Sequence, residues 1–272
     1  MIIGFPMIIC GDREFAANNG PNMVDHRALE IEADRILDAL GDAGLTLRLV
    51  GSMAILRRCP NYAFLASNDR VYRDLDFAGR KKEARNVQEL LSRLGYVEDR
   101  EVFVVSEGAR AIFGSASNGV HVDVFYEKLD FCHAIPLQDR LQVDAPTLPL
   151  AELLLAKLQI VKVTEKDFID MIALLLEHEL GENDRNTLNA ARIAKLCAED
   201  WGLWRTATKN LDKLEPFARG HTKLDATQKA RLVAQVAALH RRLDAEPKSL
   251  SWRMRARIGE RMKWYNDVED VR

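Results

Sequence analysis

The 272 residues carry 41 acidic and 39 basic side chains for a formal charge of −2, and 47% are hydrophobic against 29% charged. That composition excludes a disordered or low-complexity chain, and the near-neutral balance excludes the global basicity of a protein that coats nucleic acid. Cys10, Cys59, Cys132 and Cys197 are scattered without Cys-x-x-Cys spacing, which argues against zinc or a disulfide framework and fits a reducing cytoplasm.

The length suits one large or two medium domains. The earliest apolar run, residues 1–10, is short, lacks a basic flank and contains Gly4 and Pro6. It reads as neither a signal peptide nor a membrane span, so no membrane partner is expected. Residues 1–24 are expected to form an N-terminal arm. From Asp25 the pattern turns helical, with Leu29, Ile31, Ile36, Leu37 and Leu40 near the 3.6 period, Asp25 as a capping residue and Gly41 and Gly44 ending the run. Residues 45–50 then alternate like a strand and run straight into Gly51-Ser52 and a helix-like stretch. A strand, a Gly-Ser turn and a helix start present free backbone N–H groups that favour an anion such as phosphate. Residues 57–72 read as a helix with an extended loop.

The next strand, residues 71–78, carries Asp74 and Asp76 on one face and Leu75 and Phe77 on the other. Carboxylates two residues apart on a strand stand about 7 Å apart and repel unless a cation sits between them, and Mg²⁺ suits such oxygen donors. A solvated edge strand is the plainer alternative. An amphipathic helix follows over 80–94, led by the basic cluster Arg80, Lys81 and Lys82. Strands are expected at 101–105, 109–114 and His121–Tyr126, with a hairpin loop at 115–119. The last of these puts Asp123 on one face with His121 and Phe125, where it offers a third carboxylate beside Asp74 and Asp76. His121 reads as a hydrogen-bonded neighbour and His133 as structural. A further strand and turn run through 135–143, and Pro146 and Pro149 punctuate the chain.

The second half is helical. The apolar helix from Leu150 carries Lys157 among leucines, where a lysine either reaches to the surface or points into a polar site. The next helix has Thr164 as a capping residue, then Lys166, Asp167 and Asp170. The two aspartates share a helix face, and acids this early also complement the helix dipole. Helices follow at 187–199, 203–219 and 227–246. Residues 248–265 interleave basic and aromatic residues, which reads either as an RNA-gripping face or as a packed helix with its arginines in solvent.

The Gly51-Ser52 turn, the Asp74-x-Asp76 strand and the later single Asp123 together resemble the nucleotidyltransferase superfamily of the DNA polymerase β type. Lys157 followed by Lys166, Asp167 and Asp170 on an aliphatic helix resembles its AbiEii-like branch, over roughly residues 45–180. The stretch between Ser52 and Asp74 is longer than in compact members. The resemblance implies an α+β fold, a small mixed β-sheet nucleotidyltransferase core over 25–148, backed by helices and followed by a helical C-terminal domain over 149–272. It implies Mg²⁺-dependent transfer of an NMP from an NTP to an acceptor hydroxyl with release of pyrophosphate. Asp74, Asp76 and Asp123 become the catalytic metal ligands. Gly51, Ser52, Lys157 and, in preference to Asp170, Asp167 become the nucleotide-binding residues. Relatives include toxins of toxin–antitoxin systems, so the implied partners are an NTP, an acceptor such as a tRNA end, and an antitoxin protein. The alternative is a catalytically silent binding module on the same fold, or a protein paired with an antitoxin.

Overall fold

The computed structural model describes residues 7–10, 26–66 and 74–271. Strand β1 (Met7–Cys10) pairs in parallel with β11 (Val268–Val271). The remainder of the expected arm over 1–24 lies outside the described residues, as do Ser67, Asn68 and Asp69 in the loop before Asp74 and positions 71–73 of the expected aspartate strand.

Helix α1 (His26–Asp42) buries Leu29, Ala33, Ile36 and Leu40, one stripe at helical spacing. It ends at Gly44, whose φ of +66° lets the Leu45 amide return to the Leu40 carbonyl at 2.9 Å. Strand β2 (Leu47–Val50) follows and passes without a linker into α2 (Gly51–Arg58), then a 3-10 turn over Pro60–Leu65. Next come β3 (Asp74–Gly79), a single 3-10 turn at Lys81–Glu83, α3 (Ala84–Arg93) and β4 (Val97–Asp99). After α4 (Arg100–Val105) lie β5 (Arg110–Gly114), β6 (His121–Tyr126) and the hairpin of β7 (Lys128–Asp130) with β8 (Ala134–Pro136).

The main sheet is ordered β2-β3-β6-β5-β4, with β3 and β6 parallel and the other pairs antiparallel. It is the small, mixed sheet expected. The strand expected at 101–105 is instead helix α4, and the true strand ends at Asp99. Asp99 accepts hydrogen bonds from the amides of Glu101 (3.1 Å) and Val102 (3.4 Å), a helix N-cap that outweighs the strand preference of the valines. Val104 and Val105 are left exposed. The expected strand over 135–143 shrinks to β8, followed by turns.

The second half is helical as expected: α5 (Leu150–Leu158), α6 (Glu165–Glu177), α7 (Ala190–Glu199), α8 (Trp201–Gly220), α9 (Ala226–Ala245) and α10 (Leu250–Ile258), with β9 (Leu180–Gly181) and β10 (Leu188–Asn189) as a short parallel pair. Thr164 and Asp225 close capping boxes at α6 and α9, and Asn189, Asp200 and Ser249 cap α7, α8 and α10. Glu152, fully buried in α5, is held by Arg140 and Arg192. Helix α2 packs on both α5 and α6, and one continuous apolar core runs from Leu29 to Leu243. The helical half therefore packs against the helix that leaves β2. No helix among the described residues is long and apolar enough to cross a membrane.

Candidate active site

The site begins where β2 becomes α2. Gly51 has φ +72°, and a Cβ built there would lie 2.1 Å from Asp76 Oδ2. A side chain at position 51 would meet both backbone strain and the carboxylate, so this turn demands glycine. The N-cap residue Val50 contributes no side-chain hydrogen bond, and the first amides of α2 start beside the Asp76 carboxylate. They form the positive end of a helix against the acidic face of the sheet.

Register does the next step. Val50 pairs with Asp76 across β2 and β3, and Asp76 pairs with Asp123 across β3 and β6. Partners in register share a sheet face, so Asp76 and Asp123 stand side by side. Asp74, opposite His121, is exposed at the start of β3. Burial first, and then the neighbouring charges of Asp123 and Asp74, push the Asp76 carboxyl up to about 8, against the pull of Lys157 and Arg110. The carboxyl accepts no hydrogen bond from the described residues.

Asp123 has a different partner. It is 6% exposed, and Arg110 on β5 donates from Nε to both carboxylate oxygens, at 2.9 and 3.0 Å, and from Nη2 to Oδ2. The guanidinium also lies over the Phe125 ring, 5.1 Å from its centroid. Burial raises the Asp123 carboxyl while Arg110 draws it back down. Arg110 was not singled out by sequence; its signal was a lone arginine opening the buried strand Arg-Ala-Ile-Phe-Gly.

On the other side of the turn, Ser52 donates to Asp170 Oδ2 at 3.0 Å, and Lys157 Nζ lies 2.9 Å from the same oxygen. Lys157 also donates to Asp167 Oδ1 at 3.0 Å. Burial would strip the lysine of its proton, but Asp170 and then Asp167 hold its affinity above the ordinary lysine value. Asp167 has a second duty as the partner in the α6 capping box, accepting from Thr164 Oγ1 at 2.7 Å and from the Thr164 amide at 3.0 Å. Asp170 is therefore the acid that ties the Gly51-Ser52 turn to the lysine. Its signal was the three-residue spacing from Asp167 on one helix face.

The structure brings Gly51, Ser52, Asp76, Asp123, Lys157 and Asp170 to one edge of the sheet. Asp167 touches this group through Lys157, and Asp74 stands at its exposed end. Among the described residues no three or more His, Cys, Asp and Glu side chains gather as a ready-made metal cage. The donor chemistry nonetheless suits a hard dication at Asp74 and Asp76: carboxylate oxygens on one strand face, with Asp76 raised by burial and by the charges of Asp123 and Asp74.

Two histidines stand in different places relative to this chemistry. His121 faces Asp74 in register. His133, in the turn of the β7–β8 hairpin, is buried against α8, where its Nε2 lies 2.8 Å from Thr206 Oγ1. In the basic and aromatic tail, the tryptophans are used in packing. Trp252 meets Trp204 edge to face at 5.2 Å, and Trp264 meets Trp201 at 6.2 Å while donating to Thr206. Arg255 lies over Trp201 and donates to the carbonyls of Gly259 and Met262.

No protein-family model and no curated protein matches the chain. Among solved structures, the fold is similar to that of lincosamide antibiotic adenylyltransferase LnuA in its lincomycin-bound crystal structure, with 18% identity and a TM-score of 0.37 over 53% of this chain and 95% of that one. It is also similar to the antibiotic-resistance factor ANT(2'')-Ia, with 12% identity and a TM-score of 0.41 over 64% of this chain and 96% of that one. At these scores the likenesses assign no activity to this chain.

Proposed function

We propose that the protein is a nucleotidyltransferase that moves an NMP from an NTP to an acceptor hydroxyl and releases pyrophosphate. The observation that carries this reading is the side-by-side placement of Asp76 and Asp123 against a glycine-started helix that has room for the carboxylate and nothing larger. Asp74 and Asp76 are the residues that would hold Mg²⁺, whose chemistry is to neutralise phosphate charge and orient the oxygens of an in-line displacement. The amides at the start of α2 and the Ser52 hydroxyl bind phosphate oxygens. Lys157 adds a permanent positive charge, positioned by Asp170 and Asp167. Asp123, oriented by Arg110, faces the place where the acceptor hydroxyl approaches and receives its proton as that oxygen attacks the α-phosphorus.

The acceptor is proposed to be RNA, with a tRNA end as one form and an antitoxin as a regulating partner. The support is the row of exposed arginines Arg253, Arg257 and Arg261, and it is electrostatic alone, because the tryptophans are occupied in packing. Incubation of the purified protein with each α-labelled NTP, Mg²⁺ and either total RNA or an RNA-free lysate tests the reading. Label transferred to a macromolecule by the native chain and not by Asp76→Asn supports it. No transfer from any of the four nucleotides favours the silent binding module.

A further inference from the structure

We propose that the cleft between α1 and α2 is a binding site for a small aliphatic ammonium, separate from the aspartate edge of the sheet. The proposal does not rest on the nucleotidyltransferase reading. The cleft has a volume of about 190 Å³ and is lined by Glu30, Ala33 and Asp34 of α1, Leu49 of β2, and Met53 and Arg57 of α2. One water takes about 30 Å³ of the liquid, so the cleft has room for a ligand of a few heavy atoms.

Strand alternation puts this cleft behind the acidic face of the sheet. Leu49 pairs with Phe77 and Val50 with Asp76 across β2 and β3, and neighbours along a strand point to opposite faces. Leu49 therefore lies on the side away from Asp76. Around α2 the same division holds. Ser52 turns to Asp170 of α6, while Met53 and Arg57, four residues apart, share the flank that faces α1. A ligand in the cleft would sit against the first turn of α2, two residues from Gly51, without lying among the aspartates.

The lining selects a cation with an apolar body. Ala33, Leu49 and Met53 are at most 2% exposed and form an apolar floor. At the rim Arg57 Nη1 donates to Asp34 Oδ1 at 2.6 Å, which joins α2 to α1 and gives Asp34 its counter-charge. Glu30 stands one helical turn before Asp34, so two like charges share a helix face and one arginine offsets one of them. Glu30 is half-buried and has no hydrogen-bond or ion-pair partner among the described residues. The charge of one carboxylate is left facing the cleft. Burying such a group without a partner is costly, and an ammonium supplies three donors with the opposite charge. Its alkyl chain leaves water for the apolar floor. An anion would meet the uncompensated carboxylate and find the arginine of the lining already paired. A neutral alcohol would leave Glu30 without a counter-charge.

Calorimetric titration of the full-length native protein with butylammonium chloride tests the proposal. Butanol and sodium butyrate serve as uncharged and oppositely charged probes of the same length, at constant ionic strength. We expect one saturable site for butylammonium, with butanol and butyrate bound about tenfold or more weakly, the factor that one charge-assisted hydrogen bond makes. Glu30→Gln should weaken butylammonium by about the same factor and leave the melting temperature unchanged or raised, because Glu30 holds no partner in the fold. Arg57→Gln frees Asp34 and leaves two uncompensated carboxylates, so it should tighten butylammonium and change butanol little. Equal binding of butylammonium and butanol, an unaltered affinity in Glu30→Gln, or weaker binding in Arg57→Gln overturns the proposal, as does the absence of saturable butylammonium binding.

Discussion

Ser52 and Asp170 lie 118 positions apart in sequence and meet at 3.0 Å, where Asp170 also holds Lys157. This contact fastens the Gly51-Ser52 turn at the end of β2 to the helical half. Lys157 is 12% exposed and serves two carboxylates at once. Its replacement by methionine leaves Asp167 and Asp170 buried against each other without a counter-charge. Breaking a buried pair in this way costs about 3–5 kcal/mol. Lys157→Met should therefore lower the melting temperature and weaken NTP binding by tenfold or more, as an order of magnitude, while Mn²⁺ affinity at Asp74 and Asp76 changes little. Asp170→Asn should keep the fold and reproduce the loss of NTP binding, because Lys157 loses the negative charge that, beside Asp167, holds it against the Ser52 turn. Titration of each variant with labelled NTP decides; unchanged affinity in both would make the cluster a structural strut.

Gly51 supports a sharper test. A side chain there meets both an unfavourable φ of +72° and the Asp76 carboxylate at 2.1 Å. The left-handed backbone alone costs roughly 1–2 kcal/mol. Gly51→Ala should lower stability by at least that amount and move Asp76 out of place, removing transfer activity. Combining it with Asp76→Ala relieves the clash and should restore part of the melting temperature without restoring activity. A double variant no more stable than the single would show that the strain lies elsewhere.

Much of this arrangement was legible in the sequence. Alternation placed Asp74 and Asp76 on one face, and Asp123 on a later strand, because a period of two is set by the backbone itself. The Gly-Ser turn was legible for the same reason: a helix start beside a strand leaves amides free. What failed did so where two local forces competed, as at residues 101–105, where valine-rich sequence suggested a strand and the Asp99 cap made a helix. The partnerships of Arg110 with Asp123 and of Asp170 with Ser52 were not legible at all, since they depend on strand register and on helix packing across long separations. Asp167 was favoured over Asp170 from its place in the motif, yet its capping duty to Thr164 only becomes visible once α6 has formed.

Asp76 gives a pH signature in the absence of metal. Its carboxyl is raised from 3.8 to about 8 by burial and by Asp123 and Asp74. The folded state therefore keeps a proton that the unfolded chain has already released, and this favours folding at low pH. The contribution is full below about 4 and is lost as pH rises through 8. Chelator-treated protein should show this as a component of stability that falls between pH 4 and 8, read as melting temperature. Asp76→Asn should abolish that slope and match or exceed the native melting temperature near pH 8. Mg²⁺ should flatten the native profile as well, by stabilising the ionised form. An identical slope in Asp76→Asn would assign it to other groups.

The C-terminal arginines divide into two kinds, which makes the acceptor testable. Arg255 is tied down, lying 4.7 Å from the Trp201 ring centroid and donating to the Gly259 and Met262 carbonyls, so it secures α10 to α8. Arg253, Arg257 and Arg261 are exposed. Arg255→Glu should loosen the tail and lower the melting temperature whatever the acceptor is. Each charge reversal among the three exposed arginines should change stability by no more than about 0.5 kcal/mol, as surface changes usually do. If RNA is the acceptor, that triple change should cut RNA labelling steeply while NTP binding at the sheet edge stays intact. Native binding should also weaken with salt, because every phosphate neutralised releases counterions. The triple variant should show a shallower dependence, by about three phosphate contacts at most, with each contact adding roughly 0.7–0.9 to the slope of log affinity against log salt. Full RNA labelling by the triple variant, with an unchanged slope, would remove these arginines from the acceptor site, whereas no RNA labelling by the native chain would point to a small-molecule or protein hydroxyl instead.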